Sequence, residues 1–182
     1  MTWLNTVLVL AAAFLAVFWQ AAFDLLRHLL GAQIDLLPPL VVYASLGTNF
    51  QTLCLLAVFG GLCHDSLSAN PLGISILPLL IVGTVFYAKR ELILKDQPFA
   101  QFVLGAAAST LAPALTLMLL LTTGHSPLLG WGTLWQFAVM GAGGAVATPV
   151  VFVLFDWLQR ALVHTRAVET SFRSDREIRR GR

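Results

Sequence analysis

The stretch at 60–83, GGLCHDSLSANPLGISILPLLIVG, sets a carboxylate at the end of one apolar run and a Pro-Leu-Gly turn at the start of the next. An ionisable group at membrane depth is expensive, so Asp65 asks for a physical reason. Three roles are open to it. It can cap or brace the 66–73 turn, whose Ser66, Ser68 and Asn70 side chains readily bond backbone groups. It can meet a positive group on a partner, or it can bind a small ligand, with His64 as its neighbour. The other acid inside an apolar run is Asp156, in VFVLFDWLQRAL, where Arg160 stands four residues on at ion-pair spacing for a helix. Cys54, Cys63 and His64 lack CxxC spacing and a second ligand cluster, so they read as helix residues rather than a zinc site. GxSxG, HExxH, phosphate-cradling loops and paired intramembrane carboxylates are all missing. No catalytic, metal or cofactor-binding residue is therefore assigned, and the chain is expected not to be an enzyme.

The elements that must carry these residues follow from composition. The chain has 182 residues, 58% hydrophobic and 11% charged, with a mean hydropathy of +0.81. Soluble domains carry about 25% charged residues, so a chain this poor in charge is an all-α polytopic membrane protein. Of its eleven Lys and Arg, three sit at Lys89, Arg90 and Lys95, seven follow from Arg160 onward, and only Arg27 stands apart. That split is the positive-inside pattern and puts the 89–95 connection and the tail in the cytoplasm.

Apolar periodicity and turn residues predict six spans, at about 3–23, 36–47, 49–66, 72–88, 98–123 and 134–160. Pro38 and Pro39 open the second, Gly47-Thr48-Asn49 separates it from the third, and Pro113 is expected to break or kink the fifth. Six spans place both termini in the cytoplasm; five would move the N-terminus outside. After the first span, Asp24, Arg27 and His28 give a polar face to an amphipathic extension. The N-terminus has no base before its apolar stretch, unlike a cleavable leader. Residues 1–164 form the transmembrane domain, and 165–182 a basic tail drawn to anionic lipid, disordered or a short helix. Gly141, Gly144 and Ala145, in GAGGA, supply small residues for close helix packing, within the bundle or against a partner.

In this setting the chain resembles the rod shape-determining protein MreD family of bacteria. The resemblance rests on GGLCHDSLSANPLG, with Gly61, Asp65, Ser68, Pro71, Leu72 and Gly73 as the motif positions. It is extended by the Pro-opened DLLPPLVVY at 35–43, the basic end at Lys89-Arg90 and a final span ending near Leu162. His64 departs from the pattern, where an apolar residue is usual. The resemblance implies a six-helix bundle similar to the substrate-binding components of energy-coupling-factor vitamin transporters. It also implies a non-enzymatic scaffold in the bacterial cytoplasmic membrane. Such a scaffold binds an MreC-like single-span protein and helps couple MreB filaments to the transpeptidase and glycosyltransferase of lateral peptidoglycan synthesis. No nucleic acid or cofactor enters that expectation. The alternative it raises is the substrate-binding subunit of such a transporter.

Overall fold

The computed structural model describes residues 2–22, 31–68, 70–93, 97–123 and 130–170, with side chains from residue 3 to residue 161 within them. Six helices lie among these residues: α1 (Thr2–Ala22), α2 (Leu37–Gly47), α3 (Phe50–Leu67), α4 (Ile76–Lys89), α5 (Pro98–Thr122) and α6 (Trp131–Thr170). Four of them, α1, α3, α5 and α6, are long and apolar enough to cross a membrane. Large apolar side chains such as Phe14, Leu15, Phe18, Val146 and Val150 stand exposed. A water-facing surface would not carry so many, whereas lipid accepts them. By contacts the chain divides into two units, Met1–Val151, which holds the bundle described below, and Phe152–Arg182.

Three helix boundaries differ from the sequence expectation. The fourth helix starts at Ile76 rather than 72, because residues 71–75 form a turn in which Gly73 takes a φ of +89°. The sixth starts at Trp131 and continues to Thr170, beyond both the expected span end at 160 and the expected start of the tail at 165. The fifth runs through Pro113 as one helix, as membrane helices can when neighbours meet the freed backbone groups. The extension carrying Asp24, Arg27 and His28, the base Lys95 and residues 171–182 lie outside the described residues.

α2 is the centre of the bundle. Every residue from Leu37 to Leu46 is buried, and the helix contacts α1, α3, α4 and α5. It has no charged residue on any face, the pattern of a helix enclosed on all sides. Its start is accounted for donor by donor. The Leu37 N–H donates to Asp35 Oδ1 at 2.9 Å, Pro38 and Pro39 have no N–H, and the Leu40 N–H reaches the Leu36 carbonyl at 3.4 Å. A helix opened by two prolines thus leaves few orphan donors, and one carboxylate covers the first.

Contacts between the helices fix their directions. The Thr6 and Thr52 hydroxyls meet at 2.8 Å, so α1 and α3 start at the same end. Phe50, at the start of α3, stacks at a tilt on Tyr87 near the end of α4, with ring centroids 5.3 Å apart, and the Arg90 guanidinium covers that tyrosine at 4.3 Å. α3 and α4 are therefore antiparallel, with the basic Lys89–Arg90 end beside the α2–α3 junction. α5 and the first half of α6 are antiparallel as well, since Gly105 faces Thr148, Ser109 faces Gly144 and Thr110 faces Gly141.

The α5–α6 seam depends on the small residues expected to pack helices. Gly144 lies against the Ser109 side chain and Gly105 against Thr148, while Ala145 is 1% exposed. A methyl at Gly144 would strike Ser109 Oγ and Cβ and approach the Gly105 carbonyl to 2.9 Å. The block is thus used inside the bundle. Gly144→Ala is expected to lower unfolding stability by about 1–3 kcal/mol, the usual cost of overpacking. It should do so although alanine is the better helix former by about 1 kcal/mol. Gly132→Ala, with nothing within 4 Å of the added methyl, is the matched control and should be neutral or slightly stabilising. Thermal unfolding of the detergent-solubilised protein measures both.

Candidate functional site: a braced turn and the recess beside it

The Asp65 carboxylate lies at the end of α3 and is 1% exposed. Its Oδ2 accepts the backbone N–H groups of Gly73 at 2.9 Å and Ser75 at 3.1 Å, and its Oδ1 accepts the Ser75 hydroxyl. Ser75 is the residue just before α4, and its own side chain makes no cap to that helix. Asp65 therefore caps α4 from the neighbouring helix. The arrangement has two physical gains. Orphan donors at a helix start need partners where water is scarce, and a negative charge is favoured at the positive end of the helix dipole. Without such donors a buried carboxylate would cost several kcal/mol.

The surrounding motif residues make this geometry reachable. Gly61 lets α3 approach the start of α4: an added Cβ would sit 3.0–3.1 Å from Ile76 Cγ1, Cα and N. Gly73 supplies the positive φ that turns its N–H toward the carboxylate. Ser68 closes α3, donating from its N–H and its hydroxyl to the Asp65 carbonyl at 3.3 Å each. The Asn70 N–H reaches the Ser68 hydroxyl at 3.4 Å. Pro71 and Leu72 are exposed, and Leu72 is 72% accessible. Of the three roles open to Asp65, the hydrogen bonds realise the brace.

His64 stands between two carboxylates. Its Nδ1 lies 3.7 Å from Asp65 Oδ1 and its Nε2 3.8 Å from Asp35 Oδ2. Both distances exceed a hydrogen bond, and Nδ1 is buried with no hydrogen-bond partner. Asp35 is the site residue that the sequence reading missed. Its Oδ1 also accepts from Gln20 Nε2 at 3.4 Å, so it joins α1 to the start of α2. The available signal was an Asp two residues before the first helical N–H of a Pro-Pro helix, the Asx pattern that covers a backbone donor.

These groups face a recess whose cause is helix length. α2 has 11 residues and α4 has 14, roughly 16 and 21 Å at 1.5 Å per residue. α1 and α5, with 21 and 25 residues, are longer, and the space beyond the short helices is left between the long ones. One compartment of about 490 Å³ is polar, lined by Gln20, Gln33, Asp35, His64, Asn70 and Gln136 among others. A second of about 190 Å³ is mostly apolar, with Leu79, Leu117, Leu120 and Phe137. Asp35, His64, Asn70 and Met140 line both.

The remaining sequence candidates lie elsewhere. Asp156 and Arg160 are both exposed on α6. Lys89 and Arg90 sit at the far end of the bundle from the recess. Cys54 and Cys63 are free thiols, and no set of three metal-ligating side chains converges among the described residues.

Fold and site together define a helical membrane protein with a buried carboxylate brace and a polar-apolar recess at one end of its bundle. No family model, no curated protein and no solved structure matches the chain.

Removing the brace should be costly in proportion to the donors abandoned. Ser75→Ala leaves both backbone bonds and is expected to cost about 1–2 kcal/mol. Asp65→Asn can keep an oxygen for the two backbone N–H groups and turn its NH₂ to the Ser75 hydroxyl, but it loses the charge. It should cost about 2–4 kcal/mol, since hydrogen bonds to a charged group are the stronger kind. The ranking Ser75→Ala milder than Asp65→Asn is read from thermal unfolding in detergent. Equal stability of Asp65→Asn and the native chain would contradict the hydrogen-bond assignment.

Proposed function

We propose that this chain is a non-enzymatic scaffold of the bacterial cell-elongation machinery, of the MreD kind. It binds an MreC-like single-span protein and helps couple MreB filaments to the enzymes of lateral peptidoglycan synthesis. The observation that carries the reading is the use made of the resembling segment. Its Asp65 is wholly occupied by Gly73 and Ser75 of the same segment, so the motif builds a rigid turn rather than offering a reactive group. That turn presents the exposed Leu67 and Leu72, apolar side chains that a partner helix can cover. In this reading Lys89, Arg90 and Lys95 face the cytoplasm, both termini lie there, and the braced turn faces the opposite side of the cytoplasmic membrane.

A second reading is favoured by a separate observation. His64 and Asn70 converge with Asp35 on a recess of ligand size, as a substrate-binding subunit of an energy-coupling-factor transporter requires. The two differ in what the protein is bound to. The tagged chain, extracted in mild detergent, should bring down a single-span protein with a large extracytoplasmic domain and cell-wall synthases. Recovery of paired ATPases with a transmembrane subunit would replace the scaffold reading by the transport one. Asp65→Asn is expected to insert normally yet recover several-fold less of the single-span partner, because it loosens the turn that carries Leu72. Undiminished recovery of that partner would remove the turn from the interface.

A further inference from the structure

Among the described residues the recess holds an acceptor without a donor. Asp35 Oδ1 is taken by the Leu37 N–H and by Gln20, while the described group nearest Oδ2 is the His64 imidazole, 3.8 Å away and beyond hydrogen-bonding distance. Among the described lining residues there is no Lys or Arg to balance this carboxylate. Asp65 behind it has its own three donors, and none of them carries a charge. Among the described residues the recess thus carries two carboxylates and one imidazole, in a protein whose surroundings favour neutralised pairs.

The shape of the unmet demand narrows its partner. An anion is excluded by the carboxylate. A guanidinium binds best through two parallel bonds to both oxygens of a carboxylate, and here one oxygen is already engaged. A divalent cation is held best by several charged ligands at once, and no group of three His, Cys, Asp or Glu side chains converges among the described residues. A primary ammonium has three donors on one small centre. It matches one free carboxylate oxygen, with the polar residues Gln33, Asn70 and Gln136 lining the same compartment. The apolar compartment, with Leu117, Phe137 and Met140, adjoins it and accepts an aliphatic or aromatic body.

We propose that this recess binds a primary ammonium group carried on an apolar body, with Asp35 Oδ2 as its counter-charge. The inference goes beyond the scaffold reading and does not depend on which partner the chain binds. The ammonium has two sources, an aminophospholipid headgroup or a free amphiphilic amine.

The test is thermal unfolding of the full chain in detergent, titrated with n-octylammonium, n-octanol or octanoate. The ammonium should raise Tm saturably, and the alcohol and carboxylate of equal length should not. Asp35→Asn retains a carbonyl oxygen for the Leu37 N–H but loses the charge, and it should weaken the ammonium's apparent affinity by about tenfold or more. Met140→Trp, at the junction of the two compartments, leaves Asp35 in place and should also abolish the shift. It decides the matter if Asp35→Asn does not fold. Equal stabilisation by octanol, or an ammonium response unchanged in a folded Asp35→Asn or in Met140→Trp, would overturn the proposal. In vesicles, an amine response present in phosphatidylcholine and lost in phosphatidylethanolamine supports the proposal with the headgroup as occupant. A response of equal size in both supports it with a free amine.

Discussion

The bundle depends on one carboxylate that serves a helix other than its own. Asp65 ends α3, yet its oxygens hold the backbone of Gly73 and Ser75 at the threshold of α4. In water that threshold would be capped by solvent or by a local side chain at little cost. Inside lipid every unpaired donor is expensive, and the Ser75 hydroxyl is directed to the carboxylate instead of its own helix. One acidic side chain is thereby stabilised by the donors it satisfies. α3 and α4 are joined at this end by hydrogen bonds as well as by the close approach at Gly61.

The brace also shapes the space around it. The turn at 71–75 uses up residues that would otherwise have lengthened α4, so the helix stops short of its neighbours. α2 stops short for a related reason, because Asp35 and two prolines fix where it begins. Two acid-capped helix starts lie side by side, with His64 between their carboxylates. The longer helices pass both and enclose the recess. Rigidity and cavity come from the same cause.

What was legible in the sequence was whatever is local. An Asp at the end of an apolar run, followed by Ser, Asn, Pro and Gly, marks a turn that it can brace, with a partner contact and a ligand left open beside that role. Gly141, Gly144 and Ala145 announce a close helix contact, although only the structure names Ser109 and Gly105 as what they touch. α4 starts at Ile76 rather than 72 because the apolar run beginning at Leu72 does not show how far the Pro-Leu-Gly turn extends, and nothing local shows that Gly73 adopts a positive φ. Asp35 was missed for a different reason. It reads as loop until the fold brings it to His64, 29 residues further along the chain. Side chains that act across a bundle leave no periodic trace.

The burial of α2 has a bearing on how the molecule is made. Eleven residues give too short a run to hold a membrane position alone, and Ser45 and Tyr43 are covered only by protein. Its walls include α4 and α5, which emerge from the ribosome after it. The segment therefore depends on its longer neighbours for its place. Until α5 arrives, one flank of the future centre lacks its cover. The interior of this protein is synthesised early and enclosed late, so the nascent chain stays open longest at the helix that will end up deepest.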